Sequence, residues 1–331
     1  PFVMKKRIPP GFLMTGLLAA APGCAQTNET TKSQMKTLLR WLIFGLIVLS
    51  SKNVNAQHQM NTTADALLIE RTEMDAWSSL IDAVPDSLKL ANGMKHQNIG
   101  GGMLINFQKM PVPLFNRAIG FGLTEPFTPQ VLDSIRAFYA HRERYIVHYS
   151  APMQPAGADS LLKQNGFFLA GAWERVVRDG GSLSVDDNNN PPLEIKQVDE
   201  QLKEDWVRFL IDTYGYDFYW WPRSFAFQKG WKHYVAFRNG KIVACRSFFT
   251  SDKKTIFSGV DAPVPGVMTT DYAPDFAIWE KAIQDGLKEG VVMFVADIEL
   301  PDKEKNKTAY DNFKKLGFII PYTRYHYRLN R

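Results

Sequence analysis

Asn306-Lys307-Thr308-Ala309-Tyr310-Asp311-Asn312-Phe313-Lys314-Lys315-Leu316-Gly317-Phe318 runs into the alternating stretch Tyr322 to Arg328 near the end of the chain. Ala309, Phe313 and Leu316 stand at i, i+4 and i+7, one apolar helical stripe. Asn306 is placed to cap the first turn, and Gly317 suits the left-handed residue that ends a helix. The stretch therefore predicts a short helix feeding a strand. The same device occurs earlier, where Leu161 to Phe168, containing Asn165-Gly166-Phe167, precedes Trp173 to Arg178. A repeat at domain spacing implies internal duplication.

The spacing of Asn306, Ala309, Gly317 and Phe318 resembles the signature that closes the GNAT N-acetyltransferase superfamily, N-x-x-A-x-x-x-Y-x-x-x-G-F, with Phe313 where the family has tyrosine. Because the device occurs twice, the chain resembles a tandem GNAT protein from about Asn61 onward. The resemblance implies an α/β (α+β GNAT-like) fold of two tandem acyl-CoA N-acyltransferase-like units, each a mixed central sheet flanked by helices. It also implies acetyl-CoA as acyl donor and the amine of a small molecule as acceptor. The expected division is 61-180 for the first unit, 181-192 for the linker and 193-331 for the second unit.

A chain of 331 residues with 45% apolar residues has the size for about two domains. The net charge of +5 is diffuse, without a dense basic run interleaved with aromatics, so no nucleic-acid partner is expected. Two cysteines, Cys24 and Cys245, make neither a disulfide framework nor a Cys/His cluster, and no metal is expected.

Residues 1-60 read as a signal-like or untranslated leader outside the fold. Met4-Lys5-Lys6-Arg7, the apolar Phe12 to Ala21 and Cys24 resemble a lipoprotein signal. Met35-Lys36, Leu38 to Leu49 and Val54-Asn55-Ala56 then repeat the parts of a secretory one. Two such signals in series point to a reading frame extended upstream, with Met60 as the first residue and a cytoplasmic protein. The alternative is export or tethering through Leu38 to Leu49, a run too short for a confident membrane span. No stable membrane insertion of the folded part is expected, and the protein is expected as a monomer or homodimer.

Along the chain, Met74, Trp77, Ile81 and Val84 recur at helical spacing before Pro85. Gly100-Gly101-Gly102 lacks the continuation of a phosphate loop and reads as a turn before the strand Met103 to Phe107. Leu114 to Gly122 reads as a strand; Thr128 then caps a helix opened by Pro129, and Tyr145 to Tyr149 is the next strand. Gly180-Gly181 and Asp186 to Pro192 are linker chemistry. In the second unit Leu193 to Ile195 is a strand and Leu202, Trp206, Phe209 and Leu210 mark a helix face. Asn239-Gly240 predicts a type I′ hairpin turn, and Thr255 to Asp261 is a further strand.

The candidate site follows from the resemblance. Acetyl-CoA binds at the mouth of a helix after a glycine-rich loop, which here falls at Asp271 to Phe276 and contains no glycine. Pro274 removes a donor there, and Asp271 and Asp275 place negative charge where a pyrophosphate would sit, so these carboxylates also read as helix caps. The resemblance assigns Val260, Tyr272, Ala273, Phe276 and Asn306 to the donor, and Asp261 on its strand to the general base, with Asp297 and Glu299, after the apolar strand Val291 to Val295, as further carboxylates. Tyr310, one turn before Phe313, is the nearest phenol to replace the missing acid. The aromatic run from Tyr214 to Trp231 supplies Tyr216, Tyr219, Trp220 and Trp221 as acceptor contacts, with a structural cluster as the alternative. The competing function is a catalytically silent GNAT-fold protein that binds a small molecule or partner. A chain starting at Met60 is expected to melt at the same temperature as the full chain; a loss of several degrees would assign the leader a structural role.

Overall fold

The computed structural model describes residues 63–110, 112, 115–140, 145–183, 193–300 and 307–329. The leader, most of the linker and Asn306 lie outside the described residues.

In chain order the elements are α1 (Thr63–Asp82), α2 (Asp86–Asn92), β1 (Met94–Ile99), β2 (Gly102–Phe107), β3 (Arg117–Ile119), α3 (Pro129–Phe138), β4 (Ile146–Ser150), α4 (Asp159–Gln164) and β5 (Phe167–Asp179). They continue with β6 (Glu194–Gln197), α5 (Lys203–Tyr214), α6 (Trp220–Phe225), β7 (Trp231–Arg238), β8 (Lys241–Thr250), β9 (Thr255–Ala262), α7 (Ala273–Lys288), β10 (Met293–Leu300), α8 (Lys307–Lys315) and β11 (Ile319–Leu329). Local signals act as expected. Thr128 Oγ1 accepts from Val131 N at the start of α3, and Asn239 and Gly240 both take positive φ, 52° and 73°, in the β7–β8 turn. Gly166 and Gly317 end α4 and α8 with φ of 82° and 81°, the conformation that spares glycine a Cβ clash.

The strands form one eleven-stranded sheet ordered β1-β2-β3-β4-β11-β5-β10-β9-β8-β7-β6. β3 and β4 are parallel, as are β9 and β10, and the flanking pairs are antiparallel. The repeated helix, Gly-Phe and strand device delivers β5 and β11, and these two strands are exchanged: β11 pairs with β4, β5 pairs with β10, and they pair antiparallel with each other. An approximate twofold axis normal to the sheet therefore passes between β5 and β11.

Side-chain alternation along the strands sorts the core by face. Val177, Val295, Met103 and Ile105 join α1, α5 and α6 in one cluster that spans both halves. Their neighbours point the other way: Val176, Phe294 and Ala296 pack under α7 and α8, and Leu104 and Ala118 under α3 and α4. No helix among the described residues is long and apolar enough to cross a membrane.

At the pseudo-axis the buried surface is ionic. Glu70 and Glu73 on α1 meet Arg117 on β3, Arg175 on β5 and Arg324 on β11, all almost fully buried. Arg175 donates to Glu70 at 3.1 Å, to Glu73 at 2.5 Å and to Asp297 at 3.1 Å. Arg324 donates to Glu73 at 2.7 Å, while Arg117 lies 2.8 Å from the other Glu73 oxygen. Tyr322 adds a hydrogen bond to Glu70 at 2.8 Å. Against the penalty of burial, the surrounding guanidinia hold both glutamates below their ordinary pKa. Three cations thus face three carboxylates. Removing one partner leaves uncompensated charge in the core, so Glu73→Ala is expected to cost about 3–5 kcal/mol in urea unfolding. A loss below about 1 kcal/mol would mean that the cluster behaves like a solvated surface pair.

Candidate functional site

The parallel β9–β10 ladder ends at Phe257 and Val295, and the two strands then part. Each keeps its outer partner, β8 for β9 and β5 for β10, so a slot opens between Ser258–Ala262 and Ala296–Leu300. A bulge at Gly259 shapes one wall: Ser247 opposes Val260, whereas Phe248 opposes Ser258. The extra residue shifts the alternation, as bulges do beside many active sites. It keeps Val260 on the α1/α5 face and turns Asp261 toward Arg246 and α7.

Arg246, almost buried on β8, gathers the carboxylates. Its Nη2 donates to Asp261 at 2.8 Å, its Nε to Asp275 at 2.7 Å and its Nη1 to Ser258 at 3.1 Å, and the guanidinium carbon lies 5.2 Å from the centroid of the Trp279 ring. Burial lifts Asp261 above the usual carboxylate range; Arg246 opposes the rise and Asp275 adds to it. Arg246 itself is held above its ordinary value despite burial, by Asp261 and Asp275. Asp275 is therefore engaged by an arginine rather than capping α7, and Asp271 pairs with Arg238 at 2.6 Å while accepting from Ala273 N at 3.3 Å. Each carboxylate at the mouth of α7 thus has an arginine partner, although Arg246 is shared with Asp261. Tyr272 precedes the helix without a side-chain cap.

Two cavities meet at the slot. One lies on the α7/α8 face, lined by Tyr272, Phe276, Trp279 and Phe313. The other, of about 220 Å³, lies on the α1/α5 face between both halves, where Trp77, Phe115 and Trp173 face Tyr216 and Trp221. Arg246, Asp261, Val264, Asp297 and Glu299 border both.

Among the residues expected from the sequence, Asp261 and Glu299 stand at the junction, Tyr272 and Phe276 line the first cavity, and Val260, Tyr216 and Trp221 line the second. Ala273 is the first residue of α7. Tyr219 turns outward and donates to Asp212, and Trp220 stacks against Phe107 and Phe218. Tyr310 is not part of either lining; its hydroxyl pairs with Glu174, and burial together with that contact raises its pKa. Sequence reading offered Asp297 as a carboxylate and Tyr214 within the aromatic run, but it missed Arg246 and the first-half wall. Tyr214 donates to the Asp261 carbonyl at 2.6 Å, and Asp297 accepts from Arg175 and Arg324.

The first half is closed at the equivalent place. Beyond the short β3–β4 ladder, Gln154 N donates to Gly122 O at 2.7 Å and Phe127 N to Gln154 O at 2.8 Å, stitching the segments that follow the two strands.

No family model matches the chain, and no curated protein matches it. Among solved structures it is similar to a GCN5-related N-acetyltransferase from Kribbella flavida, with a TM-score of 0.49 and 15% identity over 75% of this chain and 94% of that one. It is also similar to a tandem GNAT protein from the clavulanic acid biosynthesis pathway, with a TM-score of 0.43 and 13% identity over 68% and 77% of the two chains. A third similarity is to a conserved protein of unknown function from Bacteroides thetaiotaomicron, with a TM-score of 0.43 and 13% identity over 81% and 98%. In the chain's own topology, each half runs through helix, antiparallel strands, helix, parallel strand, short helix and closing strand. The fold is α/β, a large mixed sheet flanked by helices. The Gly259 bulge is open to a steric test, because a Cβ there would overlap the buried Phe257 ring. Gly259→Ala is expected to cost about 1–3 kcal/mol in urea unfolding; an unchanged midpoint would show that Phe257 yields freely.

Proposed function

We propose that the protein transfers an acetyl or other acyl group from a CoA thioester to the amine of a small acceptor, using the slot between β9 and β10. The observation that carries this reading is that two cavities on opposite faces of the sheet meet at Asp261 and Glu299. A donor entering from one face and an acceptor from the other would react at that junction.

Fit of the donor is supported at its acyl end. The parted strands β9 and β10 offer edges to which an extended amide-bearing arm can add. Phe276 and Tyr272 line the approach. At the mouth of α7, pairing of Asp271 with Arg238 and of Asp275 with the shared Arg246 lowers the repulsion toward a pyrophosphate, although Pro274 still lacks a donor. When bound, acyl-CoA supplies the activated acyl group: the C–N bond forms as the C–S bond breaks, and CoA leaves as the thiol. Asp261 takes the proton from the acceptor nitrogen, a role that its raised pKa suits. Arg246 orients that carboxylate, and the bulge at Gly259 aims it. The stitched first half supports assigning chemistry to the second half alone.

Saturating acetyl-CoA at a hundred dissociation constants is expected to stabilise the protein by about 2.7 kcal/mol, visible as a thermal shift. No shift at millimolar acetyl-CoA would favour a silent binding protein. Asp261→Asn is expected to keep that shift and to lower kcat by about 10²–10⁴-fold; full retained rate hands the base role to Glu299. Since the base works deprotonated, kcat/KM is expected to fall as pH drops through the raised pKa of Asp261. Asp275→Asn removes a charge that raises this pKa, so the acid limb should move to lower pH. A limb that stays in place would detach it from Asp261.

A further inference from the structure

We infer that the acceptor is an aromatic or branched apolar monoamine without an anionic group, and that the first half of the chain supplies one wall of its site. The inference rests on the acyl-transfer reading for the orientation of the ligand, but the ligand class comes from the cavity itself.

The cavity on the α1/α5 face is two-ended. Its acidic residues, Asp261, Asp297 and Glu299, all belong to β9 and β10 and stand at the slot. The remainder is predominantly apolar, with Trp77 and Phe115 opposite Tyr216 and Trp221. Phe115 stacks edge-on against Trp77 at 5.5 Å and Trp221 at 5.1 Å, tying the two walls together. Such a site rewards one cationic end and one flat apolar body.

The charges narrow the class further. Arg117 and Arg246 border the cavity, but Arg117 lies 2.8 Å from Glu73 and Arg246 is shared between Asp261 and Asp275. One guanidinium against two carboxylates leaves a negative surplus beside the slot, which favours an ammonium group. A carboxylate or phosphate on the acceptor would meet guanidinia that are already committed, and its desolvation would go uncompensated. A polyamine would bring its distal cation toward Arg117, and the first-half lining places no carboxylate there to offset the like-charge repulsion.

The first half thereby acquires a role that its own closed strand pair does not have. Trp77 from α1, Phe115 before β3 and Trp173 on β5 reach the cavity because the shared core places α1 and α5 on one face of the continuous sheet.

The test uses the full chain with phenethylamine, phenylalanine and spermidine as probes, measured by calorimetry and by thiol release from acetyl-CoA. Phenethylamine is expected to bind and to drive thiol release, with the other two at least about tenfold weaker. If phenylalanine or spermidine drives thiol release better, acyl transfer stands and the inferred class falls. Binding of phenethylamine without thiol release from any amine keeps the class and removes the acyl-transfer reading. If phenethylamine does not bind, the inference is overturned. Phe115→Ala should raise KM for phenethylamine about tenfold and leave KM for acetyl-CoA unchanged. Because that change also strips packing from Trp77 and Trp221, Tyr216→Ala provides the same split from the other wall. An unchanged amine KM in both variants would overturn the shared-wall site.

Discussion

Arg175 and Arg324, side by side on β5 and β11 with Glu70, Glu73 and Asp297 around them, are the constraint on which the rest of the molecule depends. Ions this deeply buried are tolerated only when every charge finds its partner, and here the partners come from both halves of the chain. α1 supplies the glutamates, β3 an arginine, β5 and β11 the central arginines, and β10 the aspartate. The exchange of closing strands and the docking of α1 are therefore specified together. A register slip by one residue would turn the arginines to the other face and leave the carboxylates unpaired.

The same cluster positions the candidate site. Asp297 accepts from both central arginines and at the same time borders the two cavities. β10 is anchored on one side by β5 along its whole length, while on its other side the ladder to β9 stops after Val295. Rigid pairing on one edge and release on the other leave the slot between the two strands. Arg246 plays the corresponding part on the β9 side, where it ties the bulged strand to α7 through Asp275.

The two halves follow one architecture but differ at their parallel strand pairs. In the second half the parallel strands part and the space between them is lined by titratable groups. In the first half backbone hydrogen bonds from Gln154 and Phe127 occupy the matching region. Helices α1 and α5 both pack on β9 and cover a single core on one face of the sheet. The cavity on the α1/α5 face is consequently composite, whereas the cavity on the α7/α8 face is lined by second-half residues.

The sequence by itself determined the local elements. Apolar spacing marked α1, α3, α5, α7 and α8, Thr128 and Pro129 opened α3, Asn239-Gly240 turned the β7–β8 hairpin, and Gly166 and Gly317 ended the paired helices. These features depend on neighbours within one or two turns, so the pattern alone carries them. It also placed Asp261 near the end of its strand. Only the tertiary structure decided that β5 and β11 change places, that Arg246 binds Asp261 and Asp275, and that Trp77 and Phe115 reach a cavity bordered by Asp261. The contacts responsible join residues as far apart as Tyr322 and Glu70, separated by 252 positions. An arginine inside a strand reads like a solvent-facing residue until its carboxylate arrives from another element, because burial of a charge is a property of the assembled partners and not of the segment that carries it.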